Sequence, residues 1–302
     1  MPENKRYLLF FLLVVPGLFA ELLSGNTPIM KFANPVDFFF LVLAYGVPII
    51  LIWEFKIRYK ISSLGVYFLG IAYGIFNEGL IAKTLLATSP VPFGGFQTLS
   101  NFFGINWSWL IMILPWHAFF SVLFPIILAE YFFAKNGDIS LVSRKWFAIG
   151  VLNTFVFMPM LALSWQGSIS LILYICFFGG IFLLLGFSRF SFLQKKFILS
   201  TSTGMKWGIF LIAIYLFQFI AVGKIHIAFY IFLSIIGISF FLKKLLFLSI
   251  FERARFALGA YISFGGFALL VSLFSGRIDM IFSYTFLVGM LYYSLRKHAR
   301  GS

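Results

Sequence analysis

From Trp107 to Phe133 the chain reads WSWLIMILPWHAFFSVLFPIILAEYFF, with no formally charged residue before Glu130. At about 1.5 Å per residue, a helix of this length outruns a hydrocarbon core roughly 30 Å thick. Its apolar positions are continuous and lack the two-residue alternation of a membrane barrel strand. The stretch predicts a transmembrane helix with His117 near its middle, and Pro115 and Pro125 as points where it can bend.

Working outward, similar blocks recur along the chain. They predict an all-α polytopic transmembrane bundle of about ten spans: 7–23, 35–53, 64–86, 107–133, 146–165, 168–187, 207–222, 225–241, 256–274 and 280–295. The first block follows Lys5 and Arg6 as a signal peptide would. It carries Pro16 and Glu21 without a small-residue cleavage pattern, and is read as a retained span. The composition excludes a water-soluble fold, since 62% of residues are hydrophobic and only 11% charged, against about 25% charged in soluble domains. Cys176 is the only cysteine, so no intrachain disulfide forms; a packing role is expected for it inside its apolar block.

The net charge of +14 lies between the blocks. It points to anionic lipid headgroups at the cytoplasmic face and not to nucleic acid. With the N-terminus inside, 19 of the 23 Lys and Arg fall in inner segments; only Lys31, Lys224 and Arg277 fall outside, and Lys83 lies within a span. This asymmetry predicts both termini in the cytoplasm of a multi-pass plasma-membrane protein. The 87–106 segment is outside, uncharged and rich in Gly, Pro and Phe. It reads as a surface loop or as a re-entrant flap over a site.

Ionisable groups cost roughly 2.5–3.5 kcal/mol each at the centre of a span, so each one needs a reason. Most of them fall in residues 1–133, which predicts a polar-site half followed by a mainly packing half, 134–302, of one integral domain. Glu21 and Glu78 each lie roughly 21 Å from the inner face, and His117 about 15 Å below the outer one. Three spans thus bring ionisable groups to one level in the outer half. Asn77 sits beside Glu78, while Lys83 either snorkels or neutralises a carboxylate, and Ser121 shares a helix face with His117. Gly70 and Gly74 offer a small-residue face for close helix packing. Glu54 and Arg58, four apart at an inner helix end, read as a local ion pair.

Several of these residues carry a resemblance. Pro16-Gly-Leu-Phe-Ala-Glu21, Tyr45-Gly46, Glu54-Phe-Lys-Ile-Arg58, Leu69-Gly-Ile-Ala-Tyr-Gly74-Ile-Phe-Asn-Glu78-Gly79 and Trp116-His117 with Pro125 and Glu130 resemble a family of uncharacterised prokaryotic polytopic membrane proteins. A more remote similarity is to the CAAX-protease and bacteriocin-processing intramembrane proteases. Asn77-Glu78 stands where those carry a double glutamate, Lys83 follows in place of an arginine, and His117 stands for one of their histidines. That similarity implies hydrolysis.

Three functions are compatible with these residues. In an intramembrane hydrolase Glu78 acts as base and His117 as proton donor or oxyanion partner; a metal variant would use Glu21, Glu78 and His117 as ligands. In a transporter or lipid-handling carrier the same groups bind a cation, proton or headgroup, with Asn77, Lys83 and Ser121 beside them. A scaffold would need no chemistry. The sequence leaves the cofactor unknown.

Overall fold

The computed structural model describes residues 3–24, 32–86, 101–133, 139–160, 171–189, 204–222 and 226–275, with scattered positions between 281 and 296. The helices are α1 (Glu3–Ser24), α2 (Pro35–Tyr59), α3 (Ser63–Ile81), α4 (Trp107–Phe133), α5 (Arg144–Leu152, continuing through Asn153–Phe157), α6 (Leu171–Ser188), α7 (Gly204–Ala221), α8 (Ile227–Leu246) and α9 (Ile250–Ser275). The all-α expectation holds, and these helices occupy the first nine apolar blocks. Among the described residues, α2, α3, α4 and α8 are long and apolar enough to cross a membrane, and shorter apolar helices run over Ile172–Ser188 and Gly204–Gln218.

Short polar side chains start the helices. Asn34, Ser62, Asn106 and Ser143 accept a backbone N–H from the first turn of α2, α3, α4 and α5. His226 does the same for α8 through its Nδ1, a role its sequence context did not suggest. Lys60, in left-handed conformation, ends α2.

Helix α4 is the axis of the bundle. It is buried along nearly its whole length, as expected of a helix apolar on every side. On one flank Gly70 of α3 lies so close that a Cβ there would stand 2.6 Å from the Ala118 Cα. On the other, Tyr215 of α7 and Tyr261 and Phe264 of α9 pack against Trp116 and Phe120. Helices α7 and α9 meet backbone to backbone where a Cβ on Gly208 would collide with the Phe256 carbonyl. Cys176 departs from expectation: it is exposed on α6 and takes no part in the core.

Most of the proposed 87–106 loop lies outside the described residues. Its end, Asn101–Asn106, is a two-stranded antiparallel ribbon turned by Phe103 and Gly104, both with positive φ. The ribbon is tied to the end of α3 by the Asn106 N–H, which donates to the Leu85 carbonyl at 2.9 Å. It delivers the chain into α4 at Trp107.

Candidate functional site

Among the described residues, four helices widen into π-helical turns, at Val42–Gly46, Ile75–Ile81, His117–Leu123 and Asn153–Phe157. Each such turn inserts one residue and frequently marks a functional position. Three of them carry polar residues that meet at one place: Tyr45, then Asn77 and Glu78, then His117 and Ser121.

Prolines lie beside these turns. Pro48 has no N–H for the Ala44 carbonyl four residues back, and the Tyr73 hydroxyl donates to that oxygen at 3.0 Å. In α4 the Phe124 N–H reaches back five residues to Phe119. Pro125 therefore has nothing to give Phe120, whose carbonyl accepts from Tyr261 at 2.8 Å. Freed carbonyls inside an apolar bundle are expensive, and tyrosines from neighbouring helices satisfy them.

At the centre, Glu78 Oε1 and His117 Nε2 are 2.7 Å apart. His117 Nδ1 is 2.9 Å from Ser121 Oγ. The other Glu78 oxygen accepts from the Thr84 hydroxyl, and Thr84 in turn accepts from the Trp109 indole at 3.0 Å. Asn77 reaches Glu78 Oε1 at 3.4 Å. Thr84 comes within reach because Lys83 adopts a left-handed φ of 58°, folding the chain back after α3 so that the Leu85 N–H meets the Glu78 carbonyl. Such a conformation in a non-glycine residue costs about 1–2 kcal/mol. Glu78, His117 and Ser121 are all buried.

Of the residues expected to converge, Glu78, His117, Asn77 and Ser121 form one network. Glu21 stands one ring away. It accepts from the Tyr45 hydroxyl at 2.5 Å, and the Tyr45 ring lies 6.4 Å from His117. Tyr73 packs edge-on against His117 at 5.5 Å. Among the described residues no three His, Cys, Asp or Glu side chains are grouped to hold a metal ion. The sequence reading overlooked Thr84, Tyr45, Tyr73 and Trp109. Thr84, six residues past Glu78 at the end of an apolar block, was the one polar signal available.

The Glu54–Arg58 ion pair forms at 2.8 Å, and Glu54 does more. Fully buried, it also accepts the Leu141 and Val142 N–H groups and the Ser140 hydroxyl. Arg58 and Trp53 donate to the Val142 and Ile139 carbonyls. This second polar centre holds the 139–142 segment against α2, which is a structural task. Lys56 pairs with Glu130 nearby.

No curated protein and no solved structure matches this chain. A family-level comparison matches residues 8–293, nearly its whole length, and on that match the protein belongs to an uncharacterised membrane protein family.

Proposed function

We propose that this is a hydrolase-like multi-pass protein of the plasma membrane, with ten crossings and both termini in the cytoplasm, whose Ser121–His117–Glu78 relay works in the outer half of the bilayer. The topology reading rests on the distribution of Lys and Arg. The functional reading rests on one observation: a hydroxyl and a carboxylate flank the two nitrogens of one imidazole at 2.9 and 2.7 Å. With Glu78 ionised, Nε2–H donates to it, which leaves Nδ1 to accept the Ser121 proton. A base within reach of a nucleophile and oriented by a third group is the arrangement that activates serine. In this scheme Ser121 Oγ bonds to a substrate carbonyl carbon as its proton passes to His117. The imidazolium, stabilised by Glu78, then protonates the leaving group, and water releases the acyl group. The remote likeness to intramembrane proteases is consistent with hydrolysis. Because the three side chains are buried, turnover requires the surrounding helices to open a path to Ser121 while the Glu78–His117 contact is kept.

A fluorophosphonate probe tests this without a known substrate. Purified protein in detergent should be labelled at Ser121. Labelling should vanish in Ser121→Ala and fall at least about 10²-fold in Glu78→Gln and His117→Gln, the usual scale for losing acid–base assistance. A folded wild-type protein that takes no label overturns the serine mechanism.

A second reading is favoured by the three π-helical turns that carry the site. Interrupted helices around a buried Glu–His pair suit a proton-coupled carrier. In that case proteoliposomes loaded with a pH-sensitive dye would show proton flux abolished by Glu78→Gln, with no serine labelling.

A further inference from the structure

Helices α2, α3, α5 and α6 leave a groove between them, of about 510 Å³ counting the space at its open mouth. Ala72, Tyr73 and Phe76 of α3 form its floor; Leu51 of α2, Thr154 of α5 and Ile181 of α6 stand on its walls. The gap has a local cause. Helix α5 leans on α2 at Gly150, where a Cβ would lie 2.9 Å from Leu51, and further along it turns Leu152 and Val156 outward.

The groove is at hydrocarbon depth, since its floor and one wall belong to α2 and α3, both long and apolar enough to span. From Leu69 to Phe76 it runs about 10 Å along α3. Its lining is apolar apart from the Thr154 hydroxyl, which is buried and has no hydrogen-bond partner among the described residues. Apolar cavities stay dry, and a hydrocarbon chain from the bilayer matches this lining in polarity. The floor is shared with the site: the Tyr73 ring that lines the groove also packs edge-on against His117 at 5.5 Å.

We propose that the groove holds an acyl chain of a membrane glycerolipid, and that the ester of such a lipid is the substrate class of the neighbouring relay, with Tyr73 as the partition between chain and imidazole. Occupancy stands on the groove itself; the substrate class rests on the hydrolase reading. In the reaction the ester C–O bond breaks, Ser121 Oγ takes the acyl group, His117 protonates the departing glycerol oxygen, and water frees the fatty acid.

The test places the full chain in phosphatidylcholine liposomes whose acyl tails carry a diazirine, irradiates them, and maps the adducts. Adducts are expected at Thr154, Phe155 and Ile181 in addition to the outward-facing Ile172 and Leu183. Ala72→Trp, filling the floor, should lose the groove adducts and keep those at Leu183. Thr154→Trp on the loosely packed α5 does the same from the other wall, should Ala72→Trp not fold. Label at Leu183 with none in the groove, or groove label unchanged in a folded tryptophan variant, overturns occupancy. Glu78→Gln should keep the groove adducts. Fatty acid release is then measured from ester-linked and ether-linked liposomes, with release expected only from the ester. Groove adducts and serine labelling without any release overturn the ester as substrate class. Groove adducts with neither serine labelling nor release overturn the hydrolase reading and leave the lipid site standing.

Discussion

The Glu78 carboxylate and the His117 imidazole, 39 positions apart in sequence, meet at 2.7 Å inside an otherwise apolar bundle. Either group alone in that interior would carry a desolvation penalty of several kcal/mol. Together, with Thr84 and Ser121 at the two ends, every polar atom of the pair but the carboxylate's spare lone pairs is engaged.

Glu78→Gln keeps the shape and removes the negative charge that would stabilise the His117 imidazolium or carry a proton. Thermal stability in detergent should change little, while serine labelling or proton flux falls at least about 10²-fold. Full activity in a well-folded Glu78→Gln protein would remove the role given to Glu78 in both the hydrolase and the carrier readings.

Glu54→Ala should be among the most destabilising changes in the protein, at about 3–5 kcal/mol, the range for breaking a buried charge pair. It takes the carboxylate from Arg58 and leaves the Leu141 and Val142 N–H groups without their acceptor at once. Limited proteolysis should then cut near residues 139–142 while serine labelling per folded molecule is retained. An unchanged melting temperature would refute this.

Gly70→Ala probes the α3–α4 contact. The added methyl meets the backbone of Ala118, which cannot rotate away, so a loss of about 1–3 kcal/mol is expected. The same substitution at Gly179 inside α6, where a Cβ meets nothing within 4 Å, serves as control and should not lower the melting temperature, alanine being the better helix former.

Gln218→Leu should stabilise the protein by about 1 kcal/mol or more. Both polar atoms of Gln218 are buried in α7 without a partner among the described residues, and an unsatisfied group of this kind costs about 1–3 kcal/mol. A drop in melting temperature would mean that something polar binds there.

Topology is checked with single cysteines in a Cys176→Ala background. Ser100→Cys should react with an impermeant reagent in intact cells and Ser202→Cys should not. The reverse pattern would invert the proposed orientation and put the relay in the inner half.

The helices were legible because apolar blocks long enough to cross a bilayer have few alternatives, and α4 spans the same residues as its block. Glu78 and His117 were legible because residue rise converts sequence position into depth. Their direct contact depends on a different scale. The π-helical turns shift the phase of three helices by one residue, and nothing in the local composition of Ile75–Ile81 announces that. Thr84 reaches Glu78 only through the left-handed Lys83, which neither propensity nor hydropathy predicts. Glu54 looked like half of a local pair because its other partners are backbone amides far along the chain, and backbone amides have no sequence signature.

The tyrosine that caps the Phe120 carbonyl comes from α9, in the half of the chain that contributes no titratable group to the relay. Were Pro125 and Tyr261 not there to accommodate the extra residue, α4 could return to regular winding. A one-residue change of register turns a helical side chain by about 100°, enough to swing the imidazole out of line with the carboxylate. The aim of His117 is thus set from the far side of its own helix. A motion that drew α9 away from α4 would then act as a clutch, uncoupling the imidazole from the carboxylate without touching either one.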